Sequence, residues 1–271
     1  LVQEASTRHE TSPTASAALG RGLTGAALMG ALLKVRQRIA IKFEGDGPLR
    51  KMLVESDAYG KVRGYVSRPD ISLPENPGTA DPYDVGRAIG AGLLTVVKDL
   101  KLRDLHESLV PIATGQVDED LELYLNQSEQ IPSAVQVGTR LDQHGEVLAS
   151  GGLLIQNLAG YENTAIHQIA ERILDLPPMV DRLAEGQTVE EIAAELFDGL
   201  EIGYEVLEKR PLVFLCGCSR ERSIKALTTL GTEDIEAMIE EGQAVVDCHF
   251  CHERYLFSAE ELQEILATMQ K

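Results

Sequence analysis

The sequence contains no tryptophan, and aromatic residues make up only 4% of its 271 residues. Basic residues are also scarce, because 25 Lys and Arg face 43 Asp and Glu, which gives a formal net charge of −18. Nucleic-acid binding needs clustered Lys and Arg against the phosphates, so this balance disfavours a nucleic-acid partner. Runs long enough to span a bilayer, about 20 apolar residues, are missing as well. The uncharged run at 22–33 contains three glycines and predicts a buried helix, and we expect no membrane partner.

Signatures of an enzyme are missing too. Residues 1–175 contain no recognisable set of nucleophile, base and oxyanion hole, which favours a binding protein. The segment GRAIGAG at 86–92 is not a complete GxGxxG and is not followed by an acidic residue at the right distance, so nucleotide binding is disfavoured. Ser128 and Glu129 have no histidine in a plausible motif beside them. We interpret them as part of a structural loop.

Cysteine is rare, but its four copies form two close pairs. Cys216 and Cys218 make a CxC, Cys248 and Cys251 make a CxxC, and 29 residues separate the pairs. Four thiolates are enough for one tetrahedral zinc site, so we predict one zinc ion per reduced chain. Cysteines that occur in close pairs for a metal, and are not spread evenly along the chain, are typical of a reducing cytoplasm, where thiols stay reduced.

Whether this site only stabilises a fold or also reacts is open from spacing alone. A structural zinc ribbon is one interpretation, because closed four-thiolate sites are usually scaffolds. A disulfide in CxC closes a small strained ring, and CxxC spacing commonly lowers a thiol pKa, which both indicate a reactive site. Ser219 is expected to cap a helix running to about Leu230, placing Cys218 where the helix dipole favours a thiolate.

Charged and imidazole groups surround the cysteines. Arg220 and Arg222 are expected to add positive charge near Cys218. His249 and His252 flank the last two cysteines, and either could replace one thiolate as a ligand. We expect them to be surface histidines, since four cysteines already satisfy the metal.

The segments around the cysteines resemble a known family, the bacterial redox-regulated holdase chaperones known as the 33 kDa heat-shock protein. The similarity lies in FLCGCSRER at 214–222, LGTEDIEAMIEEG at 230–242 and VVDCHFCHERYLFSAEEL at 245–262. It continues through RHETSPTASAALGR at 8–21, GDGPLRKMLVESDAYGKVRGYV at 45–66, YLNQSEQIPSAVQVG at 124–138 and GGLLIQ at 151–156. The family carries a further stretch before the position of Leu1, so we expect the first sheet to lack a strand.

The resemblance implies a mechanism. In the reduced state the four cysteines hold zinc and the chaperone is inactive. Peroxide together with mild unfolding, or hypochlorite, forms the disulfides Cys216–Cys218 and Cys248–Cys251 and the zinc is released. The oxidised form binds unfolded or partly folded client proteins without ATP during oxidative stress, and it acts as a homodimer in the cytoplasm.

The fold class predicted from hairpin and helix signals is α+β. We expect an amino-terminal client-binding and dimerisation domain at 1–175, a metastable linker at 176–210 and a zinc-binding redox-switch domain at 211–271. Thr188 and Glu191 predict a capping box that opens a linker helix. Its apolar stripe includes Ala193. The other stripe residues are expected to act as a latch on the larger domain, and they are Val189, Ile192, Leu196, Phe197 and Leu200.

Two other functions stay open from the sequence. One is a zinc-dependent thiol-disulfide oxidoreductase, which CxxC favours but the missing thioredoxin-like βαβ context disfavours. The other is a zinc-ribbon interaction module in transcription or translation, which the acidic charge disfavours.

Overall fold

The computed structural model of the protein describes residues 1–74, 82–157, 163–200 and 203–269. The chain divides into two compact units, Leu1–Leu215 and Cys216–Lys271. Both units combine helices with antiparallel strands, so the predicted α+β class is confirmed. None of the helices within the described ranges is long and apolar enough to cross a membrane.

The larger unit is built on two sheets and the helices around them. Its strands are β1 (Arg38–Gly45), β2 (Lys51–Asp57), β3 (Lys61–Val66), β4 (Gly92–Asp99), β5 (His106–Ile112), β6 (Ser133–Leu141), β7 (Val147–Gln156) and β8 (Val213–Phe214). Its helices are α1 (Val2–His9), α2 (Pro13–Ala31), α3 (Val85–Ile89), α4 (Val117–Gln127), α5 (Asn163–Asp175), α6 (Met179–Ala184) and α7 (Val189–Phe197). One sheet has the order β5-β4-β1-β2-β3-β8, and β6 pairs with β7 in the other.

Helix α2 lies at the centre of this unit, packed against strands of both sheets and against α4. It is buried along most of its length, as the run at 22–33 predicts. Glycines let the strands approach it closely: a Cβ on Gly22 would lie 2.7 Å from Met52 Sδ, and one on Gly30 would lie 2.2 Å from Ser56 Oγ. Small residues on α2 therefore let one helix fill the layer between two sheets.

Two antiparallel hairpins account for the hairpin signals of the sequence. Strands β2 and β3 pair antiparallel around the turn DAYG, and β6 pairs with β7 around DQHG. Helix α2 ends at Ala31, two residues before the uncharged run ends, because the last turn tightens: the amide of Leu33 donates to the carbonyl of Gly30, three residues back, at 3.1 Å. The glycine-rich stretch before β4 contains the short helix α3, which the side chain of Asp84 caps.

The smaller unit contains α8 (Arg220–Leu227), α9 (Thr232–Glu240), the hairpin of β9 (Gln243–Asp247) and β10 (Arg254–Ser258), and α10 (Ala259–Met269). Its core consists of six buried side chains, which are Leu227, Ile235, Ala244, Phe257, Leu262 and Ile265. The predicted cap at Ser219 is present, but α8 ends at Leu227, before Leu230. The hydroxyls of Thr228 and Thr229 donate to carbonyls of the last turn and so end the helix.

Candidate metal centre

The four cysteines lie on two irregular segments of the smaller unit. Cys216 and Cys218 come directly before α8, whose first turn is capped by Ser219 Oγ accepting from the Arg222 amide at 3.3 Å. Cys248 and Cys251 lie in the turn between β9 and β10. That turn is closed by two backbone bonds, from the Cys248 amide to the Glu253 carbonyl and from the His252 amide to the Cys248 carbonyl.

The four sulfurs form one cluster. Cys216 Sγ lies 3.6 Å from Cys248 Sγ, Cys218 Sγ lies 3.3 Å from Cys251 Sγ, and all four sulfurs are within 4.8 Å of one another. Zinc–sulfur bonds of about 2.3 Å in a tetrahedron put the sulfurs about 3.8 Å apart. These separations are also far longer than a disulfide of about 2.05 Å. The four cysteines are not disulfide-bonded, and the number, element and spacing of their sulfurs fit one zinc ion.

The expectation of a lowered thiol pKa at the CxxC pair is wrong for the metal-free thiols. Burial raises the pKa of both Cys248 and Cys251, because the surroundings disfavour a bare thiolate. A divalent cation between the sulfurs supplies the compensating charge and removes this penalty. The donor set is therefore suited to a metal and poorly suited to free thiolates.

Tyr255 adds a hydrogen bond to the cluster that the sequence analysis did not identify. Its hydroxyl donates to Cys218 Sγ at 3.3 Å, and this bond raises the pKa of the tyrosine. Strand alternation supplies a signal for it, since Tyr255 lies two residues before the buried Phe257 on β10. A donor to a ligand sulfur belongs to the outer shell that tunes metal sites.

Of the two arginines near the cysteines, one plays a different role from the one expected. Arg220 forms an ion pair with Glu261 of α10 at 2.5 Å and lies 4.3 Å above the ring of Phe257. Its charge is therefore paired with a carboxylate, and it links α8 to α10. Arg222 lies near the first cysteine pair, where a Cβ on Gly217 would be 3.3 Å from its Nη1.

The histidines lie at the surface of the same turn. Both His249 and His252 are exposed, and His252 adopts a left-handed conformation with φ 55°. Among the described residues, the group able to hold a metal consists of the four cysteines.

The predicted linker helix is present as α7, with its capping box. The amide of Thr188 donates to Glu191 Oε2 at 2.7 Å, and the Glu191 amide donates to Thr188 Oγ1 at 3.2 Å. Of the stripe, Ile192 and Leu196 are buried. They face a narrow gap lined by Leu153, Ile173, Leu176 and Met179.

The other stripe residues are placed differently. Val189 is 53% exposed in the first turn, and Phe197 is half-buried with its ring 5.3 Å from that of Tyr204. Leu200 lies beyond the helix, because α7 ends at Phe197 and Gly199 takes a positive φ of 68°. The buried contact of α7 thus rests on Ile192 and Leu196 more than on the whole stripe.

Two arginines hold α7 in ways that the apolar pattern did not predict. Arg182 of α6 is buried and pairs with Glu195 on α7. Arg172 of α5 donates to the carbonyls of Leu196, at 3.3 Å, and Asp198, where the helix ends. A cation at a helix C-terminus also interacts favourably with the helix dipole.

Comparison with known proteins gives a consistent result. A profile of the family described as Hsp33 protein matches residues 1–258. A protein of Geobacter sulfurreducens named 33 kDa chaperonin is 48% identical over 98% of this chain and 87% of its own length. One of Geobacillus kaustophilus with the same name is 44% identical over 100% of this chain and 91% of its own. The crystal structure of the 33 kDa chaperonin (heat shock protein 33 homolog) from Thermotoga maritima matches with a TM-score of 0.89 and 36% identity, covering 99% of this chain and 90% of that one.

Proposed function

Because the chain belongs to the Hsp33 family, we propose that it is a redox-regulated holdase, a chaperone that prevents aggregation of unfolding proteins without ATP. The observation that carries this proposal is the cluster of four cysteine sulfurs within 4.8 Å in a small unit of its own. Relatives named chaperonins favour a binding protein over an enzyme.

In the reduced state, Cys216, Cys218, Cys248 and Cys251 hold one zinc ion per chain. A bound structural zinc ion contributes about 10–16 kcal/mol of binding free energy that is also folding free energy. The smaller unit depends on that contribution, because its buried core consists of six side chains. Tyr255 keeps Cys218 in position as a ligand by donating to its sulfur.

Oxidation by peroxide removes the four thiolates that bind the metal. Each peroxide molecule takes two electrons from one pair of thiolates, takes up two protons and leaves as two waters, while one S–S bond forms. Two peroxides therefore convert the four thiolates into Cys216–Cys218 and Cys248–Cys251, and no thiolate remains to hold the ion.

Pairing within each motif needs a physical reason, because short sulfur–sulfur distances of 3.6 and 3.3 Å join cysteines of different motifs. All four sulfurs are near enough for either pairing after a small movement. Once the unit begins to unfold, closing a loop between neighbours costs far less entropy than closing one across the 29 intervening residues. Local pairing then becomes the favoured product.

Loss of the metal unfolds residues 211–271, and the linker at 176–210 follows. The apolar surface that α7 covers on the domain at 1–175 becomes accessible to unfolded clients. The active form is a homodimer in the cytoplasm, and it needs neither nucleic acid nor membrane. Its net charge of −18 keeps a protein with exposed apolar surface in solution.

A client aggregation assay tests this function. Protein oxidised with peroxide and freed of zinc is expected to suppress aggregation of a chemically unfolded client without nucleotide, whereas reduced, zinc-loaded protein is not. A variant with all four cysteines replaced by serine serves as the control that peroxide cannot oxidise at the cluster. Equal suppression by the reduced and oxidised proteins would contradict redox control.

Two further measurements complete the test. Peptide mapping of the oxidised protein is expected to find both disulfides within the motifs, and a majority of cross-motif bonds would reject the pairing. Reduction of insulin disulfides by the reduced protein would instead support the thiol-disulfide oxidoreductase.

A further inference from the structure

An extended segment at 203–215, here called the strap, ends in β8 directly before the first cysteine. Strand β8 pairs parallel with β3 at the edge of the large sheet. The Val213 amide donates to the Gly60 carbonyl and the Leu215 amide to the Val62 carbonyl, both at 3.0 Å. Two residues in a parallel ladder make a weak pairing, so the strap occupies this edge without being firmly attached.

Phe214 anchors the strap. Its side chain is only 6% exposed, while its neighbours Leu212, Val213 and Leu215 are all half exposed. The guanidinium of Arg8 on α1 lies 5.6 Å from the centre of the Phe214 ring. A cation over a ring favours an aromatic side chain over an aliphatic one in this position.

The turn between β2 and β3 is shaped to admit the strap. Gly60 has a φ of +78°, and a Cβ added to it would lie 2.4 Å from the carbonyl oxygen of Pro211. Nearby, Arg210 donates to the Ala58 carbonyl at 2.8 Å. The missing side chain at residue 60 therefore creates room for a second backbone along the edge.

We propose that the β3 edge at Gly60 and Val62, together with the pocket of Phe214, is a docking site for an extended, aromatic-bearing segment of an unfolded client. In the reduced protein, strand β8 occupies this site in place of a client. This inference rests on the proposed holdase function and names the contact through which part of a client is held.

The chemistry of the site suits an unfolded chain of unspecified sequence. The carbonyls of Gly60 and Val62 require only backbone N–H groups, which any extended segment supplies, and the Phe214 pocket adds preference for one aromatic residue. While β8 is in place, its covalent tether gives it a high effective concentration that a client in solution does not match. Unfolding of the residues that follow Leu215 loosens this competitor.

The test uses full-length reduced protein and, as probe, a labelled peptide with the sequence of residues 209–215, KRPLVFL. Phe214→Ser frees the edge and is expected to bind the peptide about tenfold more tightly than the unmodified protein, whereas Gly60→Ala added to Phe214→Ser is expected to abolish that gain, because the new Cβ would meet the carbonyl oxygen of the peptide's proline as it meets that of Pro211. Gly145→Ala is the matched control, because Gly145 also has a positive φ, of +82°, in a hairpin turn, but a Cβ there meets nothing closer than 3.8 Å. Added to Phe214→Ser, the control substitution is expected to leave the gain in peptide binding intact.

A second comparison uses two variants of the strap that leave the turn between β2 and β3 unchanged. Phe214→Ser removes the anchor and is expected to raise both peptide binding and hydrogen exchange of the Leu215 amide, whereas Val213→Ser on the exposed side is not. A peptide with serine in place of its phenylalanine is expected to bind at least about tenfold more weakly. Equal binding of the two peptides, or equal binding by all four variants, would overturn the docking site.

The outcome is separable from that of the proposed function. If oxidised protein holds clients and excess KRPLVFL does not compete, the docking site is rejected and the holdase function stands. If oxidised protein fails to hold clients while Phe214→Ser binds the peptide and its combination with Gly60→Ala does not, the holdase function is rejected and the edge site stands.

Discussion

At the scale of single residues, the bond from Tyr255 to Cys218 predicts a kinetic effect. Removing the hydroxyl in Tyr255→Phe leaves the sulfur more electron-rich, so zinc release by peroxide should become faster, by about tenfold at most. Stopped-flow measurement with a chromogenic chelator checks this. Tyr59→Phe removes a hydroxyl from an exposed residue in the β2–β3 turn and should have no effect. Identical rates for both variants would rule out a role for the bond.

The cysteines predict a dependence on pH. Burial raises the pKa of Cys248 and Cys251 above the ordinary 9.0, so both thiols are protonated at neutral pH in the absence of metal. Zinc binds the thiolate form, so its binding must displace these protons. Zinc affinity should therefore rise with pH, by up to about tenfold per unit for each proton released. Competition with a chelator of known pH dependence, at pH 6.5 and pH 8, measures this slope.

The metal-free unit should respond in the opposite sense. A raised pKa in the folded state favours the folded unit while the thiols are protonated, below about pH 9. That contribution is lost as the pH rises through the folded-state pKa. Alkaline pH should thus tighten zinc binding, and it should also make the smaller unit unfold faster once a chelator has removed the zinc. An unfolding rate that falls with pH would contradict the burial of these thiols.

At the scale of elements, α7 predicts a difference between two positions on one helix. Leu196→Ala removes a buried side chain and should destabilise the docked helix by about 2–5 kcal/mol. Val189→Ala, at an exposed position, should change stability by no more than about 0.5 kcal/mol. Hydrogen exchange of α7 in the reduced protein measures both.

The same pair of variants tests the latch. If α7 covers the client surface, the Leu196→Ala protein should hold clients while still reduced and zinc-loaded, and the Val189→Ala protein should not. Inactivity of both variants until oxidation would show that α7 does not gate the surface.

Local signals in the sequence were reliable for these elements, and long-range ones were not. The capping box at Thr188 could be predicted because it is closed by residues three apart in the sequence. The cluster of four cysteine sulfurs could be predicted because the cysteines occur as two close pairs in the sequence. Strand β8 could not be predicted, because two residues carry no periodicity and their partner, β3, lies about 150 residues away. The position of Leu200 beyond the helix could not be predicted, because an apolar periodicity does not show that the helix ends before Gly199.

At the scale of the whole molecule, the two units should respond separately to loss of the metal. Chelation of zinc should unfold the residues of the smaller unit, since six buried side chains form its core, while the sheets of the larger unit stay protected. Hydrogen exchange followed by mass spectrometry resolves the two. Simultaneous loss of protection in β1 to β4 would contradict independent stability of the units.

The glycines of α2 also determine when this protein can fold during its own synthesis. Gly20, Gly22, Gly25 and Gly30 each cost about 1 kcal/mol of helix propensity relative to alanine, so the segment cannot persist as an isolated helix. Apart from Val2 of α1, the groups that approach these glycines lie on β2, α4 and β6, as far along the chain as Thr139. Residues 13–31 therefore emerge from the ribosome long before their packing partners and remain apolar and unprotected in the meantime. A member of a chaperone family thus exposes apolar surface of its own for an interval during its synthesis.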